Sequence, residues 1–552
     1  MSPPSLFWPA AVPRDLGALP PTLNEALRRS AQRRPDHLAL AFYGAEISYA
    51  ELLRRVERLA AFLQRRCGVA RGDRVLLDMQ NSPHFVTAYH AVLRAGAVVV
   101  PINPMNLAEE LAWIAEDSGA RVAVVGAELL SRFAALMPTP LTRVIVAPYA
   151  DEVPTTTPFR LPPVLAESVL PDRRPAGAVA WQTALAEREP PLPDTTTRDD
   201  LCVMPYTSGT TGRPKACIHP HSNAVFTAVA QARWYGYDDD TVVSGFMPLF
   251  HVAGMQVSMN GGLAAGASIV LMARWDRDLV APLFERYGVT LWSAAPTMIV
   301  DVLHAPGFRE SAFAKLRILT GGGSSMPAAV AEELERRWGL RFVEGYGLSE
   351  TIAPTHLNPP DRPKPQCLGI PIHDTESRIV DPETLVELGP DAVGEIVVAG
   401  PQIMRGYWRQ PEANAEAFFE RDGLRFLRTG DLGRVDEEGY YYIVDRLKRM
   451  VNVAGYKVWP AEIEAMLYRH PQVQECCVIA APDAERGEAV KAFVVRRPGA
   501  TLDAEALIAW ARGAMAIYKA PRLVEFVDSL PRSGSSKIDW RRLQEAEWRK
   551  PG

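Results

Sequence analysis

Residues 22–42 read TLNEALRRSAQRRPDHLALAF. Thr22 is placed to cap a helix that turns Leu23, Ala26 and Leu27 inward and its arginines outward, and the run ends in a short apolar strand, LALAF. The unit returns at YAELLRRVERLAAFLQRR (49–66) followed by RVLLDM (74–79), and again at AYHAVLRAGAVVVPINP (88–104). Helices alternating with wholly apolar strands argue for a layered α/β fold around a mostly parallel sheet, because only strands buried on both faces lose the polar alternation. The pairs Arg28/Arg29, Arg33/Arg34 and Arg65/Arg66 are spaced along these helices and read as solvated faces rather than an anion site.

Working outward, residues 150–200 are rich in Pro, Thr and Ala and are expected to form a surface excursion or linker. From Gly394 to Val444 short β runs such as GEIVVAG and YYYIVD are punctuated by glycine, which predicts a small β unit. AEIEAMLYRH, ECCVIAAP, KAFVVRRP and DAEALIAWARGAM then follow as elements of a compact α+β tail. The chain has 552 residues, 47% hydrophobic and 23% charged, so a large core is expected and wholesale disorder is not. Sixty basic and 65 acidic residues leave a formal charge of −5, too small to steer the chain toward nucleic acid or an anionic membrane. Six cysteines without a CxxC pair point to free thiols and a cytoplasmic setting. The proline-broken amino terminus lacks a basic leader region, and apolar stretches such as Gly261–Ala273 fall short of a membrane span.

The stretch that carries most chemistry is MPYTSGTTGRPK, Met204–Lys215. An apolar strand runs into a loop in which Thr207, Ser208, Gly209, Thr210, Thr211 and Gly212 offer hydroxyls and bare backbone N–H groups to phosphate oxygens, while Lys215 adds a cation. It is not a Walker sequence, since Gly209 and Gly212 are three apart and Lys215 does not follow a glycine. Four more segments follow in order: EGYGLSET (344–351), RTGDLG (428–433), DRLKRMVNVAGYKVWPAEIE (445–464) and PRSGSSKID (531–539).

Together these five motifs resemble the adenylate-forming superfamily, which includes acyl-CoA synthetases, luciferases and the adenylation domains of peptide synthetases. The resemblance spans about residues 20–545. It implies a large multi-subdomain body over residues 1–445, with layered α/β sheets and a small β unit, and a mobile α+β domain over 446–552. It also implies ATP, Mg2+ and coenzyme A. Ser349 would meet the α-phosphate and Glu350 the metal, one carboxylate with phosphates and water sufficing for a hard cation. Tyr346, flanked by glycines, is an aromatic plate for the purine. The run Gly321, Gly322, Gly323 after LRILT looks like the stretch that lets the backbone approach adenine and the acyl chain; a tight turn is its other reading. Asp431 and Arg446 resemble the family's ribose ligands, since a carboxylate can accept from both ribose hydroxyls. Lys537 matches the mobile catalytic lysine, a cation for the charge that grows on the α-phosphate as pyrophosphate leaves. Lys448 stands at the hinge position and Gly455 on the loop that lines the pantetheine tunnel. The chain departs from the pattern at Ser349, more often Thr, and at Ser536, usually Gly.

Amino-acid-activating members carry an aspartate where MPLFHVAGMQVSMNGG (247–262) has His251, so an amino acid is not expected. His251 looks like the histidine near the bound carboxylate. The charge-free stretch beyond it offers Gly254, Met255, Met259 and Gly261, and LWSAAPTMIV adds Trp292 and Met298, as walls for an apolar acid. The expectation is a carboxylate–CoA ligase acting on a fatty acid of medium or long chain. An aryl acid or a stand-alone loader of a carrier protein are the alternatives, and a luciferase-like or silent homologue ranks last. No carrier domain is attached, so the acceptor is read as free coenzyme A; a homodimer is an allowed assembly.

Overall fold

The computed structural model describes residues 7–207, 213–323, 325–453, 456–483, 487–532 and 538–549. Its two compact units comprise residues 1–377, 398–427 and 438–440 in the larger, and 378–397, 428–437 and 441–552 in the smaller.

The local signals in the opening stretch hold. Thr22 caps the helix Leu23–Arg33 by accepting from Glu25 N–H at 3.1 Å, and Ser48 caps Tyr49–Arg66 in the same way. Tyr49–Arg66 buries Leu52, Val56, Leu59 and Leu63 along one stripe, each contributing roughly 1.5–3 kcal/mol when fully removed from water.

The larger unit holds two extended sheets. The nine-stranded one runs Ile370–Pro371, Ala353–Leu357, Phe342–Leu348, Ile318–Gly322, Leu291–Ser293, Val242–Gly245, Ser268–Leu271, Leu38–Phe42, Ala45–Ser48. Its six middle strands are mutually parallel, and antiparallel strands close both edges. The seven-stranded sheet runs His219–Pro220, Leu201–Val203, Val98–Pro101, Arg74–Asp78, Val122–Gly126, Arg143–Ala147, Ala178–Ala180, parallel except at its first pair. The mixed α/β expectation is met, and in a parallel sheet the ends where strands finish are the usual place for ligands.

Residues 150–200 are not a plain linker. Ala178–Ala180 forms the edge strand of the second sheet and Trp181 is buried against the core. The proline-rich composition hid this because a three-residue strand carries no periodicity to read.

In the smaller unit Val473–Asp483 pairs antiparallel with Gly487–Arg496, which Leu523–Phe526 joins in parallel. Helices Pro460–Leu467, Ala504–Ala514 and Trp540–Trp548 belong to the same unit. None of the six cysteines is in a disulfide. Among the described residues no helix is long and apolar enough to cross a membrane.

Candidate active site

Strand Leu201–Val203 delivers the chain to a short hairpin in which Tyr206–Thr207 pairs with Lys215–Ala216, setting Lys215 directly opposite Thr207. Ser208, Gly209, Thr210, Thr211 and Gly212 lie outside the described residues, so the structure speaks for the base of the phosphate loop alone. Trp408 N–H donates to Ala216 C=O at 2.9 Å and Cys217 bridges Tyr407, which ties the 405–408 segment alongside Lys215. Lys215 Nζ stands 5.4 Å from the Tyr407 ring centroid, within cation–π range.

The same tyrosine reaches the acidic motif. Tyr407 OH donates to Glu350 Oε1 at 2.9 Å, and Met404 N–H donates to the Glu350 carbonyl at 2.9 Å. Glu350 lies in a one-turn 3-10 helix, Ser349–Thr351, after which Ile352 (φ 42°) and Ala353 (φ 80°) turn the chain back into Ala353–Leu357. Two consecutive left-handed residues without glycine are strained, and Thr351 holds them by donating to Ala353 C=O at 2.7 Å. His219 fixes Ser349, its Nε2 donating to the Ser349 carbonyl at 2.7 Å. Burial lowers this imidazole to about 4, so it is neutral at pH 7. Tyr407 thus links Lys215 to Glu350, and Ser349 precedes Glu350 on the same turn. Tyr407 and His219 were not foreseen: Tyr407 is far along the chain from both, in a GYW triplet with no chemical signature of its own.

The glycine run serves close approach. Gly321 and Gly322 lie inside strand Ile318–Gly322, where a Cβ would meet Ala294 O at 1.9 Å and Gly345 O at 2.3 Å respectively. Gly323 has φ +84°, so the tight-turn reading also applies at the end of the run. Tyr346 keeps 8% of its surface exposed and packs its ring 5.7 Å from His356. Glu344 begins the motif as a buried carboxyl that the sequence reading left without a role.

In the smaller unit Asp431 and Arg446 are register partners on adjacent antiparallel strands, and their side chains pair at 3.1 Å. Asp431 is buried while Arg446 is half exposed. Lys448 sits in the turn Leu447–Arg449, bracketed by that pair and by Arg449, which is ion-paired with Glu464. Gly455 and Lys537 lie outside the described residues.

For the acid, Asn81 sets the loop ahead of His251. Its Nδ2 donates to Gly245 O (3.0 Å) and Met247 O (2.9 Å), and its Oδ1 accepts from Leu249 N–H at 2.8 Å. His251 is exposed and its Nδ1 accepts from Ala253 N–H at 3.3 Å. In the following π-helical segment Gly254–Asn260, the residues Gly254, Met255 and Met259 turn into the core, as does Gly261 beyond it. Met255 Sδ accepts from Tyr89 OH at 3.6 Å, and a Cβ on Gly254 would meet Pro248 O at 2.3 Å. Trp292 stacks on Phe313 and meets Phe284 edge-on and Trp338 at a tilt, with no surface exposed. The outward side chains are Ala253, Val257 and Met298, all half-buried. Of the residues expected to wall the acid, Gly254, Met255, Met259, Gly261 and Trp292 are buried and Met298 is half-buried.

Residues 27–408 match the family model described as AMP-binding enzyme, and residues 462–537 match the AMP-binding enzyme C-terminal domain. The chain belongs to this adenylate-forming family. A long-chain-fatty-acid–CoA ligase of Bacillus subtilis is 35% identical to it over 550 residues, covering 98% of this chain and 97% of that protein. A feruloyl-CoA synthase of an Amycolatopsis species is 37% identical over 515 residues, 92% of this chain and 96% of its own length. Among solved structures, ATP-bound MatB from Rhodopseudomonas palustris superposes with a TM-score of 0.81 at 30% identity, covering 95% of this chain and 99% of MatB.

Proposed function

We propose that the chain is an AMP-forming carboxylic acid–CoA ligase acting on a fatty acid. The acid's carboxylate oxygen attacks the α-phosphorus of ATP, pyrophosphate leaves, and the thiol of coenzyme A then displaces AMP to give the acyl thioester. Such a reaction needs positioning and charge neutralisation more than a protein nucleophile. The observation that carries the reading is the Lys215–Tyr407–Glu350 cluster, which places a cation and a carboxylate on either side of one phenol where the phosphate loop begins. Full-length likeness to a fatty-acid ligase supports the acid class.

In this reading Lys215 and the loop from Thr207 take the β- and γ-phosphates, Ser349 the α-phosphate, Tyr346 the adenine, and Asp431 with Arg446 the ribose. Lys537 bridges the carboxylate and phosphate, and His251 stands near the carboxylate. The residues also fit Mg2+. Among the described residues no cluster of three metal-ligating side chains exists, so a cation would be held by Glu350 together with the nucleotide's own oxygens. When bound it would supply neutralisation of phosphate charge. The domain boundary is placed at 445/446, with Lys448 as the pivot and Gly455 on the tunnel loop, and the setting is cytoplasmic. Gly254, Met255, Met259, Gly261, Trp292 and Met298 are proposed as the acyl wall, with the half-buried Ala253 and Val257 beside them.

An aryl acid is the second reading, favoured by the 37% identity to a feruloyl-CoA synthase. A panel of fatty and aryl acids assayed for AMP release with and without coenzyme A separates the two. Fatty acids should turn over best and AMP release should depend on coenzyme A; preference for aryl acids would replace the first reading. In Lys537→Ala, acyl hydroxamate trapped with hydroxylamine should fall at least about a hundredfold, the scale of a lost oxyanion-type contact, and an unchanged yield would remove Lys537 from the mechanism.

A further inference from the structure

Glu344 sits where three segments of the larger unit meet. It is 5% exposed and lies on strand Phe342–Leu348 in register with Gly321. Its Oε1 accepts two backbone hydrogen bonds, from Met326 N–H at 3.2 Å and from Gln366 N–H at 3.1 Å. Met326 closely follows the glycine run, and Gln366 is held at φ +52°, a left-handed conformation that an unbranched side chain adopts only at a cost. The Glu344 carbonyl meanwhile accepts from Asn358, whose Nδ2 also donates to Cys367 O at 2.6 Å. Strand alternation puts Glu344 on the face of Tyr346, two residues on.

Resting on the ligase reading, we propose that Glu344 is a positioning residue for the nucleotide: its carboxylate gathers the segment after the glycine run and the segment at Gln366 around Tyr346, and its charge sets how tightly ATP is held. Burial pushes this carboxyl up to about 7, against the pull of the two amides. The register partner Gly321 adds no charge. Strand Ala353–Leu357 brings His356, which burial lowers to about 3 and keeps neutral. The 358–367 segment brings Asp361, Cys367, Arg362 and Lys364, the last two paired with Glu438. On helix Ala328–Trp338, Glu333 pairs with Arg337 and Glu335 with Arg341, while Glu332 and Arg336 are exposed. The ionised group therefore makes charge-assisted bonds to both amides above neutrality, and protonation weakens them together.

The test compares full-length wild type with Glu344→Gln and Glu344→Leu. Glutamine keeps a carbonyl oxygen for both amides but does not titrate; leucine leaves both N–H groups without a partner. ATP affinity by calorimetry and the KM for ATP in AMP release are read from pH 6 to 8.5. Wild type should weaken about fivefold to tenfold from pH 8 to pH 6 with kcat nearly level, as expected for two charge-assisted bonds made neutral. Glu344→Gln should be flat, and Glu344→Leu should bind ATP at least about tenfold more weakly throughout. A wild-type pH profile in Glu344→Gln, or undiminished affinity in Glu344→Leu, overturns the proposal. If leucine prevents folding, the glutamine profile alone decides. Calorimetry needs no acid, so failure of the ligase reading would show as absent AMP release with ATP binding intact.

Discussion

Gly322→Ala tests the close approach of strands Ile318–Gly322 and Phe342–Leu348, beside which the nucleotide is proposed to bind. A Cβ at this position would stand 2.3 Å from the Gly345 carbonyl oxygen on the neighbouring strand. Ordinary carbon–oxygen contact needs roughly 3.3 Å, so the strands must part by about 1 Å; overpacking of this kind costs about 1–3 kcal/mol. The neighbours leave no easy escape, because Gly321 is already against Ala294 O and Gly347 against Ala353 O. The parting would fall between Gly322 and Gly345, beside Tyr346. We expect a lower urea midpoint, read by tryptophan fluorescence, and a KM for ATP raised by about tenfold, the equivalent of 1.4 kcal/mol. Gly307→Ala is the control: its Cβ would meet nothing within 4 Å, and a change within ±0.5 kcal/mol is expected. If Gly322→Ala matches that control in both midpoint and KM, the close-approach reasoning is refuted.

Three further outcomes follow from the geometry. Tyr407→Phe removes the donor to Glu350 and should weaken ATP use by about ten- to 150-fold, since hydrogen bonds to charged groups are worth roughly 1.5–3 kcal/mol; an unaltered KM would separate Tyr407 from the site. Asp431→Ala leaves Arg446 without its 3.1 Å partner and should raise the KM for ATP at least about tenfold, with an equal value in the variant counting against a ribose role. His90 is buried with both ring nitrogens lacking a partner, and burial lowers it to about 3. Its folded value lies below its unfolded value of 6.5, so its contribution is complete above that pH and is lost as pH falls, at about 1.4 kcal/mol per pH unit. His90→Phe should therefore flatten the fall in urea midpoint between pH 6.5 and 4.5, and an unchanged slope would show that His90 does not titrate there.

Local chemistry made much of this protein readable in one dimension. Thr22 and Ser48 cap the helices they precede, and apolar strands placed between amphipathic helices became parallel sheets, because capping and periodicity act over a few residues. Lys215 and Glu350 were identifiable because each lies in a short ordered motif. Which side chains touch was a matter for tertiary structure. Tyr407 joins Lys215 to Glu350 only because the 405–408 segment pairs beside residues 216–218. Asp431 meets Arg446 through strand register, and Glu344 gathers Met326 and Gln366 across three separate segments. The inward turn of Met255 and Met259, with Ala253 and Val257 left outward, followed from packing against Tyr89 and its neighbours. Motifs report what a residue can do, whereas register and packing, which are set by the sum of many distant contacts, decide what it does it to.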